Sequence, residues 1–143
     1  MSFGFSVGDF LAVGKLCWSV YKKCKDSKGT YAELTGEISA LYAVIKETEE
    51  LVEEQKLSER QLARLLSCQK TCDDVLQDLD ALLNKYQKLG TKSQWTFDRL
   101  KYGDEDINGI RQRITMNVTM LDALNNASVS LAQVDLPESA DSR

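Results

Sequence analysis

The sequence predicts an all-α protein, an antiparallel helical bundle of four to five helices. Three observations predict it. One proline and eight glycines in 143 residues leave little turn material for a many-stranded chain. The strong helix formers Leu, Glu, Lys, Gln and Ala are abundant. Apolar residues recur at intervals of three and four over long stretches. With 43% apolar and 28% charged residues the chain also has the make-up of a globular domain able to bury a core.

The first helix is expected over about 6–26, with Ser6 and Asp9 as a capping start. Val7, Phe10, Leu11, Gly14, Cys17, Trp18, Tyr21 and Cys24 form one apolar stripe, widened by Val13 and Val20. Gly8 and Gly14 weaken this helix, and either admit a close neighbour or leave it free to move. A turn at Asp26–Thr30 leads into a second helix over about 30–55. Thr30 and Glu33 suggest a capping box there, with a stripe of Leu34, Ile38, Leu41, Ile45 and Val52. The acidic run 47–54 reads as a solvated face. Ser58 and Gln61 cap a third helix over about 58–89, which carries Leu65, Cys72, Leu76, Leu79 and Leu83 inward and stops at Gly90. A short segment over 92–102 brings Trp95 and other aromatics to plug one end or side of the bundle. A last helix over about 103–132 buries Ile110, Ile114 and Leu121. Residues 1–133 thus read as one bundle, and 134–143, with Pro137, as a frayed tail or linker.

Charge is unevenly placed. The net charge is −4, yet residues 1–30 carry +3 and the remainder −7. An acidic body weighs against nucleic acid as a partner, since phosphate binding needs a clustered basic footprint. A basic first helix suits anionic lipid, or simply the negative end of its own dipole. The opening stretch lacks a charged n-region and a small-residue cleavage site, so no secretory signal is expected, and no segment is long enough to span a bilayer. An intracellular protein is expected.

Catalytic signatures are missing. There is no histidine, no glycine-rich phosphate loop and no nucleophile elbow. Cys17, Cys24, Cys68 and Cys72 sit on apolar faces and read as buried thiols, because their spacings lack the tight knuckle of a zinc site. Asn117 and Asn126 begin glycosylation sequons inside an amphipathic helix, where they read as chance matches. Neither an enzyme, nor a cofactor, nor a metal site is expected.

Three stretches carry a resemblance: FSVGDFLAVGKLCWSVYKKCKDS, then EISALYAVIKETEE, then LGTKSQWTFDRLKYGDEDINGIRQRIT. In this order, over roughly residues 3–132, the chain resembles the fungal HeLo-like N-terminal domain that precedes NACHT-type STAND modules or ankyrin repeats in NLR-like receptors. Gly8, Asp9, Phe10, Trp18 and Tyr21, and the run from Trp95 to Gly103, carry it most sharply. The family is related to the HET-S HeLo domain and to necroptosis-like four-helix bundles. The resemblance implies a domain of innate immunity, heterokaryon incompatibility and programmed cell death. Such a domain is cytoplasmic at rest; on activation it oligomerises with itself or with like HeLo-type domains and permeabilises the plasma membrane through its first helix. That role would fall on Phe3, Phe5, Val7, Phe10, Leu11, Val13 and Leu16, with Lys15, Lys22 and Lys23 at anionic lipid. In the resting state the apolar members of this set are expected in the core. Asp9, costly at bilayer depth, favours a pore-lining or oligomeric arrangement. The alternative is a non-lytic helical interaction module that relays signal to, or regulates, a partner death domain.

Overall fold

The computed structural model describes residues 7–27, 29–89 and 104–141. Among them the chain is helical with short connections and no strand. The elements are α1 (Val7–Asp26), α2 (Thr30–Glu33), α3 (Thr35–Glu53), α4 (Glu59–Leu89) and α5 (Asp104–Asp141). The all-α bundle predicted from periodicity is the fold found.

The four long helices form a square in which α1 packs on α3 and α4, and α5 closes the square against the same two. The side-chain pairs set the directions: α1 and α3 run opposite ways, as do α4 and α5. Although α3 and α4 are consecutive, they sit on a diagonal, so residues 54–58 carry the chain across one end. The core is the inner stripe of each helix: Phe10, Val13, Cys17 and Val20 from α1, and Ile38, Leu41 and Ile45 from α3. Leu65, Cys72, Leu76, Leu79 and Leu83 come from α4, and Ile110, Ile114 and Leu121 from α5. Every one of them is buried, as is Leu34 between α2 and α3.

Several local expectations need correction. The second helix is not continuous. Gly29 takes a positive φ of 68° as N-cap of the four-residue α2, and no side chain caps it, so the Thr30–Glu33 capping box is not formed. The break at Leu34 tucks both Tyr31 and Leu34 into the core, which a straight helix starting at Thr30 need not do. Trp18, expected in the core, is 43% exposed, and Tyr21 is half-buried. The cause is positional: Trp18 lies about 100° around the helix from the fully buried Cys17, at the edge of the stripe, where α3 covers only one side of it. Glu49, inside the acidic run read as solvated, is only 6% exposed. The last helix continues through Pro137 to Asp141 instead of ending near 132. Trp95 and the 92–102 segment lie outside the described residues, as do Phe3, Phe5 and Ser6.

The Ser58–Gln61 capping box is present in full. The Gln61 amide donates to Ser58 Oγ at 3.2 Å, and the Ser58 amide donates to Gln61 Oε1 at 2.8 Å. The preceding helix ends differently. Lys56 N–H reaches back to the Leu51 carbonyl at 2.9 Å, and Gln55 sits at φ 56°, a Schellman-type end in which the left-handed position is held by a residue with a side chain. Glycine loses nothing there. Gln55→Gly is therefore expected to raise stability by roughly 0.5–1 kcal/mol in chemical denaturation, with an unchanged m-value.

Candidate functional site

The residues singled out by sequence converge on α1, and the structure divides them between two faces. Inward lie Phe10, Val13, Cys17, Val20 and Cys24, all buried. Leu11 and Leu16 are half-buried at the margins, and the side chain of Val7 is outside the described residues. Outward lie Lys15 and Lys22, both exposed. Lys23 does not join them. Its ammonium donates to Asp80 Oδ1 at 2.6 Å and to Asn84 Oδ1 at 3.0 Å, tying the end of α1 to α4. With 28% and 26% exposure, that pair is one of the better sheltered ion pairs between helices, and the lysine is not free to meet lipid while it holds.

Trp18 leads an aromatic group across the α1–α3 seam. Its ring stacks on Tyr21 at 5.3 Å between centroids, with planes 21° apart, and meets Tyr42 of α3 at 5.1 Å and 41°. Lys22 Nζ stands 6.0 Å from the Trp18 ring centre and Lys46 Nζ 5.9 Å from that of Tyr42, both within cation–π range. Periodicity placed Trp18 in the stripe but could not pair it with Tyr42, which is a tertiary contact.

Below this group α1 faces α3 at Gly14. A Cβ there would collide with the carboxylate of Glu49 and touch Ile45 Cγ2 at 3.5 Å. Glu49 is held in this slot by Lys46, whose ammonium donates to Glu49 Oε1 at 2.7 Å. Hydrogen bonding to Glu49 and its charge raise the lysine pKa. Of the two roles open to Gly14, admitting a close neighbour has a visible occupant, the Glu49 side chain of α3.

Two further polar groups lie buried between helices. Thr48 Oγ1 lies 2.8 Å from the Val44 carbonyl and 3.0 Å from Asn125 Oδ1, while Asn125 Nδ2 reaches the same carbonyl at 3.4 Å. Asn117, 4% exposed, accepts from Thr71 Oγ1 at 2.6 Å and donates to the Arg113 carbonyl at 2.8 Å. A glycan cannot be attached to a side chain so enclosed, which disposes of that sequon in the folded protein. Neither asparagine was marked by periodicity.

The four cysteines are free and buried. Among the described residues no three His, Cys, Asp or Glu side chains are grouped to hold a metal ion, and no helix is long and apolar enough to cross a membrane. Burial pushes Cys17 and Cys24 from an ordinary value of 9.0 up to about 12, and raises Cys72 and Cys68 as well. These thiols are therefore poor nucleophiles at neutral pH. Since the folded-state values lie above the unfolded ones, the thiols stabilise the fold fully below about pH 9, and that contribution is lost as pH rises toward 12. A denaturation midpoint that declines between pH 9 and 11, and less steeply in a Cys17→Ala, Cys24→Ala variant, is the expected result. A second expectation concerns the seam: Gly14→Ala should cost stability in the wild type. In a Glu49→Ala background it should be neutral or favourable by up to about 1 kcal/mol, the helix-propensity gain no longer opposed by the carboxylate.

Residues 10–138, most of the chain, match the family described as the N-terminal part of pigment biosynthesis cluster protein PigL. No curated protein matches the chain, and no solved structure matches it. With a match over that span of a helical bundle, the chain belongs to the PigL N-terminal family.

Proposed function

We propose that this chain is a HeLo-like effector and signalling domain of a fungal NLR-like receptor, which oligomerises on activation and acts on membranes through α1. The observation that carries the reading is the two-sidedness of α1. It holds a complete buried apolar stripe from Phe10 to Cys24 on one side, and exposed Lys15 and Lys22 beside Trp18 on the other. A helix with that distribution can lie in a bilayer interface, its lysines at anionic headgroups. No catalytic role is assigned to it.

Burying each large apolar side chain contributes roughly 1.5–3 kcal/mol, so α1 will not leave the bundle without a replacement for those contacts. The tie from Lys23 to Asp80 and the packing at Gly14 would hold it at rest. A second reading, a non-lytic interaction module, is favoured by the aromatic group at Trp18 and Tyr42, which is presented while α1 remains docked. The family description names a pigment biosynthesis cluster. In such a setting the module would stand beside biosynthetic enzymes, and deleting its gene would change pigment rather than viability or incompatibility.

Dye release from anionic vesicles separates the two readings. Phe10→Glu is a poor probe because Phe10 is buried and the change would unfold the bundle. Asp80→Ala instead loosens α1 from α4 and leaves the core intact. The effector reading expects faster release from this variant than from wild type, by about threefold or more for a tie of the order of 1 kcal/mol. Absence of release from both proteins at saturating vesicle concentrations would leave only the interaction module.

A further inference from the structure

The outer face shared by α1 and α3 has a charge order that neither reading above uses. On α1, Leu11, Lys15, Trp18, Lys22 and Lys25 follow one another at intervals of four and three, so they share a stripe. Trp18, all three lysines and the glutamates named below are exposed. On α3 the matching stripe is Tyr42, Lys46, Glu50 and Glu53. The ring contact of Trp18 with Tyr42 fixes the register between the two. Because α1 and α3 run in opposite directions, the stripes leave this aromatic centre in opposite directions too. Lys22 and Lys25 rise toward one end, about 10 Å away at Lys25. Glu50 and Glu53 descend toward the other, about 16 Å away at Glu53, at 1.5 Å per residue. The face is thus polarised, with Lys22 and Lys25 toward one end, Glu50 and Glu53 toward the other and the rings between them; exposed Lys15 on the glutamate side of Trp18 and Asp26 beside Lys22 temper the contrast without reversing it. Lys46 is already engaged by Glu49.

We propose that this face is a self-docking surface, through which two copies of the chain pair about a two-fold axis near Trp18 and Tyr42. The inference rests on reading the chain as a helical signalling module. When two such faces meet with their helices crossing roughly antiparallel, Lys22 and Lys25 of each copy oppose Glu50 and Glu53 of the other, and the aromatic rings are covered at the centre. An isologous contact requires that kind of self-complementarity, and a one-sided contact with a different partner does not. Trp and Tyr at the centre of a patch with charges at its rim is also the arrangement in which a few aromatic residues dominate binding. An anionic bilayer suits the face less well, because it would attract the lysine end and repel the glutamate end of the same stripe.

The test uses the 143-residue chain in lipid-free buffer, by sedimentation equilibrium from micromolar to near-millimolar concentration. A dimer is expected whose dissociation constant rises with salt, because rim charges are screened. Trp18→Ala should weaken it by about tenfold or more. The decisive variants reverse one end at a time: Lys22→Glu with Lys25→Glu, and Glu50→Lys with Glu53→Lys. Each alone should be monomeric, and an equimolar mixture should regain the dimer, since both ends are then complementary. Circular dichroism melts of each variant confirm that exposed substitutions have left the bundle folded. A monomeric wild type, a dimer indifferent to both reversals, or a mixture that stays monomeric overturns the proposal. So does a wild type that remains monomeric in buffer yet is captured by anionic vesicles through Trp18. Because association is read in lipid-free buffer, failure here removes the self-docking surface and leaves the dye-release result for α1 standing, and the reverse also holds.

Discussion

At Gly14 the backbone of α1 comes so near to α3 that one added methyl group would strike the carboxylate of Glu49. Along the same seam Cys17 Sγ lies 3.9 Å from the Ile38 carbonyl, and the Trp18 ring meets that of Tyr42. Phe10, Val13 and Val20 are buried on the helix that packs against both α3 and α4. A methyl group at position 14 would displace the Glu49 carboxylate from its place beside Lys46, while Ile45 at 3.5 Å would meet it in ordinary contact. Larger side chains still would meet Ile45 as well, and a close-packed seam gives up contacts to admit them.

Apolar stripes alone would allow these helices to slide by a turn, since Leu, Ile and Val at similar spacing interlock in more than one register. The polar contacts discriminate among those registers. Thr48 meets Asn125 only where α3 and α5 are aligned as observed, and Asn117 meets Thr71 only in the observed match of α4 to α5. A slipped bundle would leave these amides buried and unsatisfied, at about 1–3 kcal/mol each. Around the edge, Arg111 pairs with Glu37 at 3.2 Å and Arg113 with Asp78 at 2.8 Å. Exposed pairs of that kind add little to stability, but they agree with the same alignment.

The helices and their inner faces were legible in the sequence because burial against a neighbour imposes a period on the chain. Leu65, Leu76, Leu79 and Leu83 could hardly be arranged otherwise. The Ser58–Gln61 cap was legible for a similar reason: its two hydrogen bonds are local and need only four residues. What escaped depended on partners remote in sequence. Glu49 looked like one glutamate among many until α1 was placed over it. Asn117 and Asn125 are anonymous until their partners on α4 and α3 arrive. Trp18 sat in the right stripe but at its edge, and a single helix cannot say which edge a neighbour covers. The break at Leu34 was hidden because a helix-compatible sequence runs straight through it. The two faces of α1, the core of the candidate site, were half visible: the apolar one by period, the aromatic and charged one only after Tyr42 joined it.

Those two faces differ in what it takes to use them. The inner stripe of α1 is common to both of its neighbours, and its burial is of the same order as the whole stability of a domain this size, about 5–15 kcal/mol. Withdrawing α1 is thus close to unfolding the bundle, and it can occur only where another apolar environment receives the helix. The outer face carries no such penalty, because Trp18, Lys22 and Lys25 are presented with every core contact intact. Under the function proposed above, such a module would associate first and rearrange afterward. Pairing through the outer face would bring two α1 helices together, and the free energy needed to release each would then be offset in part by contacts between them as well as with lipid. Asp9 would suit that order: a carboxylate that a lone helix could not carry into hydrocarbon would be tolerable where neighbouring helices shield it.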